Sequence, residues 1–298
     1  MHYRPASGSP VLRTAPPLAK PTLAPFHLSF PLPFSIRRSK SIVLYDHGRM
    51  RWLAPALLLT GALSAATLKP ETSAAFDHYI RQRESSLAAR KNFLWADQSP
   101  TLARRVESGE IVVESAGPNS NIPVKNGLIH DWIGSAFLPG ITIDQTIALV
   151  RDYNHHQKYY APEVMEARIL SHTGNDYRIF LRLLKKQVLT VILDTEHEVH
   201  YTQLDAKRWQ SRSQTVKISE LDHGQPQPPG AGHGFLWRLN SYWRFEERSG
   251  GTWIECEAVS LTRDVPIGLG WLIHPIIHNL PKESLANTLM QTRIALLQ

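Results

Sequence analysis

Two histidine motifs are the first features of this sequence that could carry imidazole or metal chemistry. His130 precedes Asp131, and His197 and His200 stand three residues apart in an HEVH segment. Adjacent residues on a strand point to opposite faces, so Asp131 is badly placed to orient His130 as a base. The same rule separates His197 from His200, and the HExxH metal motif requires a helix and a different spacing. We therefore predict structural roles for these histidines and no metal site.

The remaining candidates fit caps and loops better than reactive sites. His155 and His156 lie where a predicted helix ends, a position at which a cap or a surface role is common. Gly230, Gly232 and Gly234 resemble a nucleotide loop, but they precede a strand, whereas phosphate binding uses amides at a helix N-terminus. We predict a flexible pocket rim there, able to gate an opening. The sequence contains no GxxxxGK[ST] loop, no paired CxxC and no GxSxG elbow, so no cofactor is predicted.

The basic charge of the chain is confined to its N-terminal part. The formal net charge is +7, yet residues 1–66 contain eight of the 33 basic residues and one of the 26 acidic ones, which leaves 25 of each. The rest of the chain is formally neutral, so the sequence gives no support for a nucleic-acid partner. The single cysteine, Cys256, rules out a disulfide within the chain.

Residues 50–66 have the composition of a secretory signal peptide. Met50 is followed by a basic residue, an apolar run of about a dozen residues and a group of small residues. The apolar run is shorter than the roughly 20 residues that a membrane span needs. We predict cleavage after Ser64 or Ala66, a secreted or periplasmic protein, and residues 1–49 as a disordered or mis-assigned N-terminal extension. A buried helix preceded by a disordered tail is the alternative.

Beyond residue 66, turn residues separate a helical attachment, 67–122, from a larger domain, 123–298. The alternation of apolar and polar residues predicts an antiparallel meander closed by a hairpin and a final helix. The predicted helices are 69–94, one that begins at Thr142 or Asp144, and a C-terminal segment from residue 266 that breaks at Pro275 and Pro281. The predicted strands are 110–114, 127–137, 163–171, 176–185, 188–201 and 208–221, followed by the hairpin 234–264.

The two strands of the hairpin carry large apolar side chains beside small ones. On the first strand, every second residue from Trp237 to Phe245 is expected to face inward, and on the second the inward positions are small. Bulky rings beside small side chains shape a void, although the same alternation also packs a filled core. The candidates for the lining of a ligand cavity are Trp237, Leu239, Ser241, Trp243, Cys256, Ala258, Leu181 and Leu289.

Charged and polar residues alternate with this apolar set. Arg182, Arg238 and Tyr242 are the candidates for polar anchors of a ligand head group. The alternative is a solvated sheet face on which such arginines pair with Glu255 and Glu257.

Three segments resemble the C-terminal half of START-like proteins, the SRPBCC superfamily of polyketide cyclases, lipid-transfer domains and coenzyme Q-binding proteins. They are FLWRLNSYWRFEER, IECEAVSLTRDVP and LPKESLANTL, and the resemblance extends over residues 123–298. It implies an α+β helix-grip fold, in which a curved antiparallel sheet wraps around a long C-terminal helix. It also implies a deep hydrophobic cavity between the two, and no universal catalytic residue.

These features favour an exported START-like protein that binds or carries a hydrophobic small molecule, a lipid or an isoprenoid, with transient membrane contact. The alternative is a cyclase or aromatase-like enzyme that uses the same cavity, with Arg182, Tyr242 or Glu257 assisting proton transfer. A third hypothesis is an interaction module with a filled interior.

Overall fold

The computed structural model describes residues 66–186, 190–264 and 270–298, and the side chains of the last range from residue 279. The predicted extension 1–49 and nearly all of the predicted signal peptide lie outside these residues. The helices are α1 Pro70–Ala89, α2 Pro100–Glu107, α3 Ile143–Arg151, α4 His156–Tyr159 and α5 Gly270–Leu297. The strands are β1 Val112–Ser115, β2 Asn121–Val124, β3 Gly127–Pro139, β4 Val164–Thr173, β5 Asp176–Lys186, β6 Thr190–Gln203, β7 Arg208–Asp222, β8 Gln225–Pro226, β9 Arg238–Arg248 and β10 Gly251–Arg263.

One antiparallel sheet organises the described part of the chain. Its strand order is β1-β3-β10-β9-β7-β6-β5-β4, with β2 beside β3 and β8 beside β7. The strands β4 to β7 form the predicted meander, and β9 and β10 the predicted hairpin. Both β1 and β2 pair with β3, so the strands of the predicted attachment belong to the main sheet. With α5 packed on this sheet, the architecture is the expected α+β helix-grip fold.

A side-chain cap sets the start of α3. Thr142 caps α3 through a capping box, in which its hydroxyl accepts a hydrogen bond from the amide of Gln145 while its own amide donates a hydrogen bond of 2.9 Å to the Gln145 side chain.

The predicted breaks in α5 are wrong, because the helix continues through Pro275 and Pro281. Each proline removes only one backbone hydrogen bond, and the neighbouring turns of so long a helix keep theirs.

The sheet has two different faces, and strand register assigns each side chain to one of them. We call the face that packs on α5 the concave face and the opposite face the convex face. Ile254, Phe245 and Ala136 are register partners on the concave face, where they join a core with Leu285 and Leu289 of α5. This core is the apolar support of the C-terminal helix.

The convex face of β3 and β10 is covered by α1 and carries buried carboxylates. Arg83 of α1 contacts Asp131 at 3.0 Å and donates two hydrogen bonds of 2.9 Å to Glu257. Tyr79 donates to Asp131 at 2.7 Å. A single guanidinium therefore faces two buried carboxylates.

Burial raises the pKa of Glu257 to about 7, with the charge of Asp131 acting in the same direction and Arg83 opposing both. Burial likewise raises the pKa of Asp131. A carboxyl whose pKa is higher in the folded than in the unfolded chain stabilises the fold most at low pH. That contribution is complete below the unfolded value near 4.5 and is lost as pH rises through about 7.

We expect the free energy of unfolding to fall by roughly 2 kcal/mol between pH 5 and pH 8, because the shift spans about two pKa units. Glu257→Gln, which is neutral at every pH, should flatten most of this slope in denaturant titrations. The exposed Glu114→Gln is the matched control and should keep the slope. A slope unchanged in Glu257→Gln would contradict the shared-guanidinium arrangement.

Candidate ligand-binding site

The C-terminal helix packs closely on one half of the concave face. Leu285 and Leu289 are buried there, and α5 contacts β3, β10 and β1. Gly134 of β3 permits the approach, because a Cβ atom at this position would lie 2.7 Å from Leu289 Cδ1 and 2.9 Å from Val113 Cγ2. Any larger residue at 134 would push the helix away from the sheet.

The other edge of α5 is held by polar contacts with the far end of the sheet. Ser284 accepts a 2.9 Å hydrogen bond from Nζ of Lys185 on β5. Asn287 donates at 2.8 Å to Glu163, which also pairs with Lys185. The helix is thus attached by apolar packing on the β3 and β10 side and by this polar bridge at the β4 and β5 side.

Between these two attachments lies a run of half-buried side chains on the concave face, which we call the inner strip. Its members come from β5, β7, β9 and β10. Register aligns Ser213, Ser241 and Ala258 in one row across β7, β9 and β10, with Leu239 and Trp243 two positions from Ser241 along β9. Leu181 lies farther off, on β5 beyond β6. The inner strip consists of Leu181, Ser213, Leu239, Ser241, Trp243 and Ala258. Residues that are half-buried on the face of the sheet that carries α5 leave surface available to a bound molecule.

Two buried polar side chains on the concave face, His197 and Cys256, are uncharged near pH 7. His197 is fully buried, and its Nε2 lies 2.9 Å from the hydroxyl of Thr195. Burial lowers the pKa of His197 to about 4, so the imidazole is neutral near pH 7. Burial also raises the pKa of Cys256 well above its ordinary value, so its thiol is not a nucleophile. The concave face is therefore suited to holding a molecule by apolar contact.

A cluster of aromatic residues from α4 and the positions that flank it closes one end of the concave face. The hydroxyl groups of Tyr153 and Tyr201 are 2.7 Å apart, which joins this end to β6. Tyr160 and Thr292 have their hydroxyls 3.1 Å apart, which joins it to α5. His156 packs among these rings and is buried, so the predicted surface or capping role is wrong for this residue, whereas His155 is exposed.

The structure brings most of the predicted cavity residues together. Leu181, Leu239, Ser241, Trp243 and Ala258 lie in the inner strip. Cys256 and Leu289 are on the same side but belong to the tightly packed core.

Trp237 departs from the predicted alternation. It precedes β9, which begins at Arg238, and its ring packs in the cluster of Phe76 and Leu261 on the convex side. The prediction that it shares the inward face of β9 is therefore wrong, because strand alternation does not extend to a residue outside the strand.

The three predicted polar anchors lie on the convex face and are already engaged. Arg182 donates to Asp194 at 2.7 and 2.9 Å. Arg238 donates to Asp77 of α1 at 3.1 Å, and the hydroxyl of Tyr242 donates to a carboxylate of the same helix at 2.9 Å. Glu257, named for the enzyme alternative, is on this face too. None of these four can reach a molecule held between the inner strip and α5.

The glycine-rich loop is held by a buried carboxylate. Glu220 accepts hydrogen bonds from the amides of His233 and Phe235, at 2.6 and 2.9 Å. Gly232 has a φ of +104°, and a Cβ there would lie 2.6 Å from Glu220 Oε2. The predicted flexible rim is therefore a fixed turn in this structure.

A groove of about 440 Å³ lies on the convex side of β4 to β7, but its lining does not suit an apolar ligand. It contains side chains of both charges, among them Asp176, Arg178 and Glu198. We place the candidate site at the inner strip, where the side chains are apolar or small.

Among the described residues, no three His, Cys, Asp or Glu side chains are grouped so that they could hold a metal ion. No described helix is both long and apolar enough to cross a membrane.

Sequence reasoning missed the aromatic end of the site. Val199 and Tyr201 alternate correctly along β6, so their inward direction could have been read from the sequence. The contact of Tyr160 with Thr292 could not, because these residues are 132 positions apart.

Comparisons with known proteins give similarity of fold alone. No protein-family model and no curated protein matches the chain. A STAR-related lipid transfer protein from Xanthomonas axonopodis, fragment 25–204, is 15% identical, with 60% of this chain and 100% of that chain covered and a TM-score of 0.44. The ZhuI aromatase/cyclase from Streptomyces sp. R1128 is 11% identical, with 57% and 94% covered and a TM-score of 0.39.

The human StarD13 lipid transfer and protein localization domain is 9% identical, with 67% of this chain and 97% of that chain covered and a TM-score of 0.38. At these scores we take neither a ligand nor an activity from these structures. The helix-grip arrangement rests on the strand order and on the packing of α5 described above.

Gly134→Ala should lower the free energy of unfolding by about 1–3 kcal/mol, because the added methyl group overlaps Leu289 and Val113. Gly117→Ala is the matched control, since a Cβ there meets nothing within 4 Å. Denaturant unfolding of the two variants gives the comparison. Equal stability of Gly134→Ala and the parent protein would mean that α5 is not seated closely on β3.

Proposed function

We propose that this protein binds and carries a hydrophobic small molecule, of the lipid or isoprenoid class, between the inner strip and α5. The observation that supports the proposal is the inner strip itself, a half-buried apolar surface between two separate attachments of the covering helix. A filled core would bury these positions as completely as it buries Ile254 and Leu289.

Apolar burial alone can supply the free energy of such binding, without an ionic contact. Burial of about 300 Å² of apolar ligand surface contributes roughly 7 kcal/mol before the entropy of association is subtracted. Trp243 and Leu239 offer broad apolar contact, and Ser213 and Ser241 offer hydroxyls that adapt as donors or acceptors. This combination favours a mainly apolar molecule with few polar atoms.

The enzyme alternative has less support from the geometry. A cyclase would need groups that transfer protons within the same space. Arg182, Tyr242 and Glu257 all face away from it, and the neutral His197 is hydrogen-bonded to Thr195. We therefore favour binding over catalysis.

Ala258→Leu tests whether the inner strip borders usable space. Ala258 is half-buried between its register partners Trp132 and Ser241, so a larger side chain there should change the free energy of unfolding by less than about 1 kcal/mol. The same substitution should weaken the binding of an apolar fluorescent dye, anilinonaphthalene sulfonate, severalfold. Dye titration and denaturant unfolding on the purified protein measure both effects.

Ala136→Leu is the matched control, because Ala136 is completely buried in the core on the same face. Overpacking at this position should cost about 1–3 kcal/mol. If Ala258→Leu destabilised the protein as much as Ala136→Leu and the parent protein bound no dye, the interior would be filled and the carrier proposal would fail.

We also propose that the protein is exported, on the strength of the signal-like segment 50–66. Expression from Met50 in a secreting host should yield a mature chain that begins at Ala65 or Thr67. Intact-mass measurement distinguishes the two. A chain recovered only with Met50 retained in the cytoplasmic fraction would refute export.

A further inference from the structure

A buried imidazole nitrogen at the aromatic end of the concave face has no hydrogen-bond partner. Nε2 of His156 is inaccessible to solvent and is bonded to no described atom, although the residue as a whole is 8% exposed. A buried polar atom left without a partner costs about 1–3 kcal/mol. Such an atom is therefore a candidate contact for something that the protein binds.

The neighbours of His156 place it on the ligand side of α4. Its ring centroid lies 4.7 Å from that of Tyr153 and 5.0 Å from that of Tyr160. The hydroxyl of Tyr153 is hydrogen-bonded to that of Tyr201 on β6, and the hydroxyl of Tyr160 to that of Thr292 on α5. His156 thus sits where the sheet, α4 and the C-terminal helix meet, among aromatic faces that favour contact with a flat apolar molecule.

The free nitrogen is an acceptor. Burial lowers the pKa of His156 to about 4, so the ring is neutral, with one N–H donor and one bare nitrogen. Backbone groups of Val150 and Leu149 act against this lowering of the pKa. Since Nε2 has no partner among the described atoms, we place the proton on Nδ1, which leaves the lone pair of Nε2 available.

We infer that the bound molecule carries a hydroxyl group that donates a hydrogen bond to Nε2 of His156. This inference rests on the proposed function and narrows it, from any hydrophobic molecule to an apolar alcohol or phenol. A hydroxyl supplies the missing donor without bringing a charge into the aromatic end. An ester, an ether or a hydrocarbon would leave the nitrogen unsatisfied.

The test compares two fluorescent probes that differ in this donor alone, 2-naphthol and 2-methoxynaphthalene, with the full chain. The parent protein should bind 2-naphthol ~3- to 10-fold more tightly, the effect of one hydrogen bond. His156→Phe should remove the preference, so that the two probes bind the variant with equal affinity. His155→Phe, at the exposed neighbouring position, is the control and should keep the preference.

The parent protein also gives an answer without any variant, in case His156→Phe fails to fold. In ¹⁵N-labelled protein, the Nε2 resonance of His156 should shift on addition of 2-naphthol and stay in place with 2-methoxynaphthalene. Equal affinity of both probes, or a preference that survives in a folded His156→Phe, would overturn the hydroxyl contact while leaving apolar binding intact. Binding of neither probe would overturn apolar binding itself.

Discussion

The burial of β10 on both faces is the constraint on which the rest of the structure depends. This strand pairs with β3 along all thirteen of its residues and with β9 along eleven. Eleven of the thirteen residues are buried, and the other two, Ala258 and Arg263, are half-buried. A strand in this position needs cover on each side. The apolar side chains of its concave face are covered by α5, and the carboxylates of its convex face by α1.

Because α1 covers the convex face and α5 the concave face, the buried ion pairs lie on the opposite side of the sheet from the inner strip. Charges on the convex face are paired with one another, as in the contacts of Arg83 with Asp131 and of Arg90 with Glu255. On the concave face, the buried polar residues at the strip, such as His197 and Thr195, are neutral. Neutral groups can be buried next to a ligand at low cost when they are hydrogen-bonded, whereas charges cannot. The concave face is therefore the one suited to a hydrophobic molecule.

The way in which α5 is attached also bears on how a ligand could enter. Tight apolar packing near Gly134 fixes one side of the helix, whereas the bridge through Lys185 and Ser284 is partly exposed and made of hydrogen bonds. Partly exposed polar contacts contribute little net stability and break readily, but packed apolar contacts do not. The inner strip lies between the two attachments, and the polar bridge is the weaker of them.

The sequence by itself determined the longer strands, their alternation and the presence of a closing helix, because period-two patterns, turn residues and helix formers act over a few neighbouring positions. It thereby identified the helix-grip class and five members of the inner strip, such as Trp243 and Ala258. It did not predict the short elements β2, β8 and α2. Only the tertiary structure decided that Trp237 turns to the convex side and that the predicted anchors, such as Arg182, are engaged there. It alone placed Tyr160 against Thr292, 132 positions away in the chain, because the geometry of such a contact depends on how helices seat on a completed sheet.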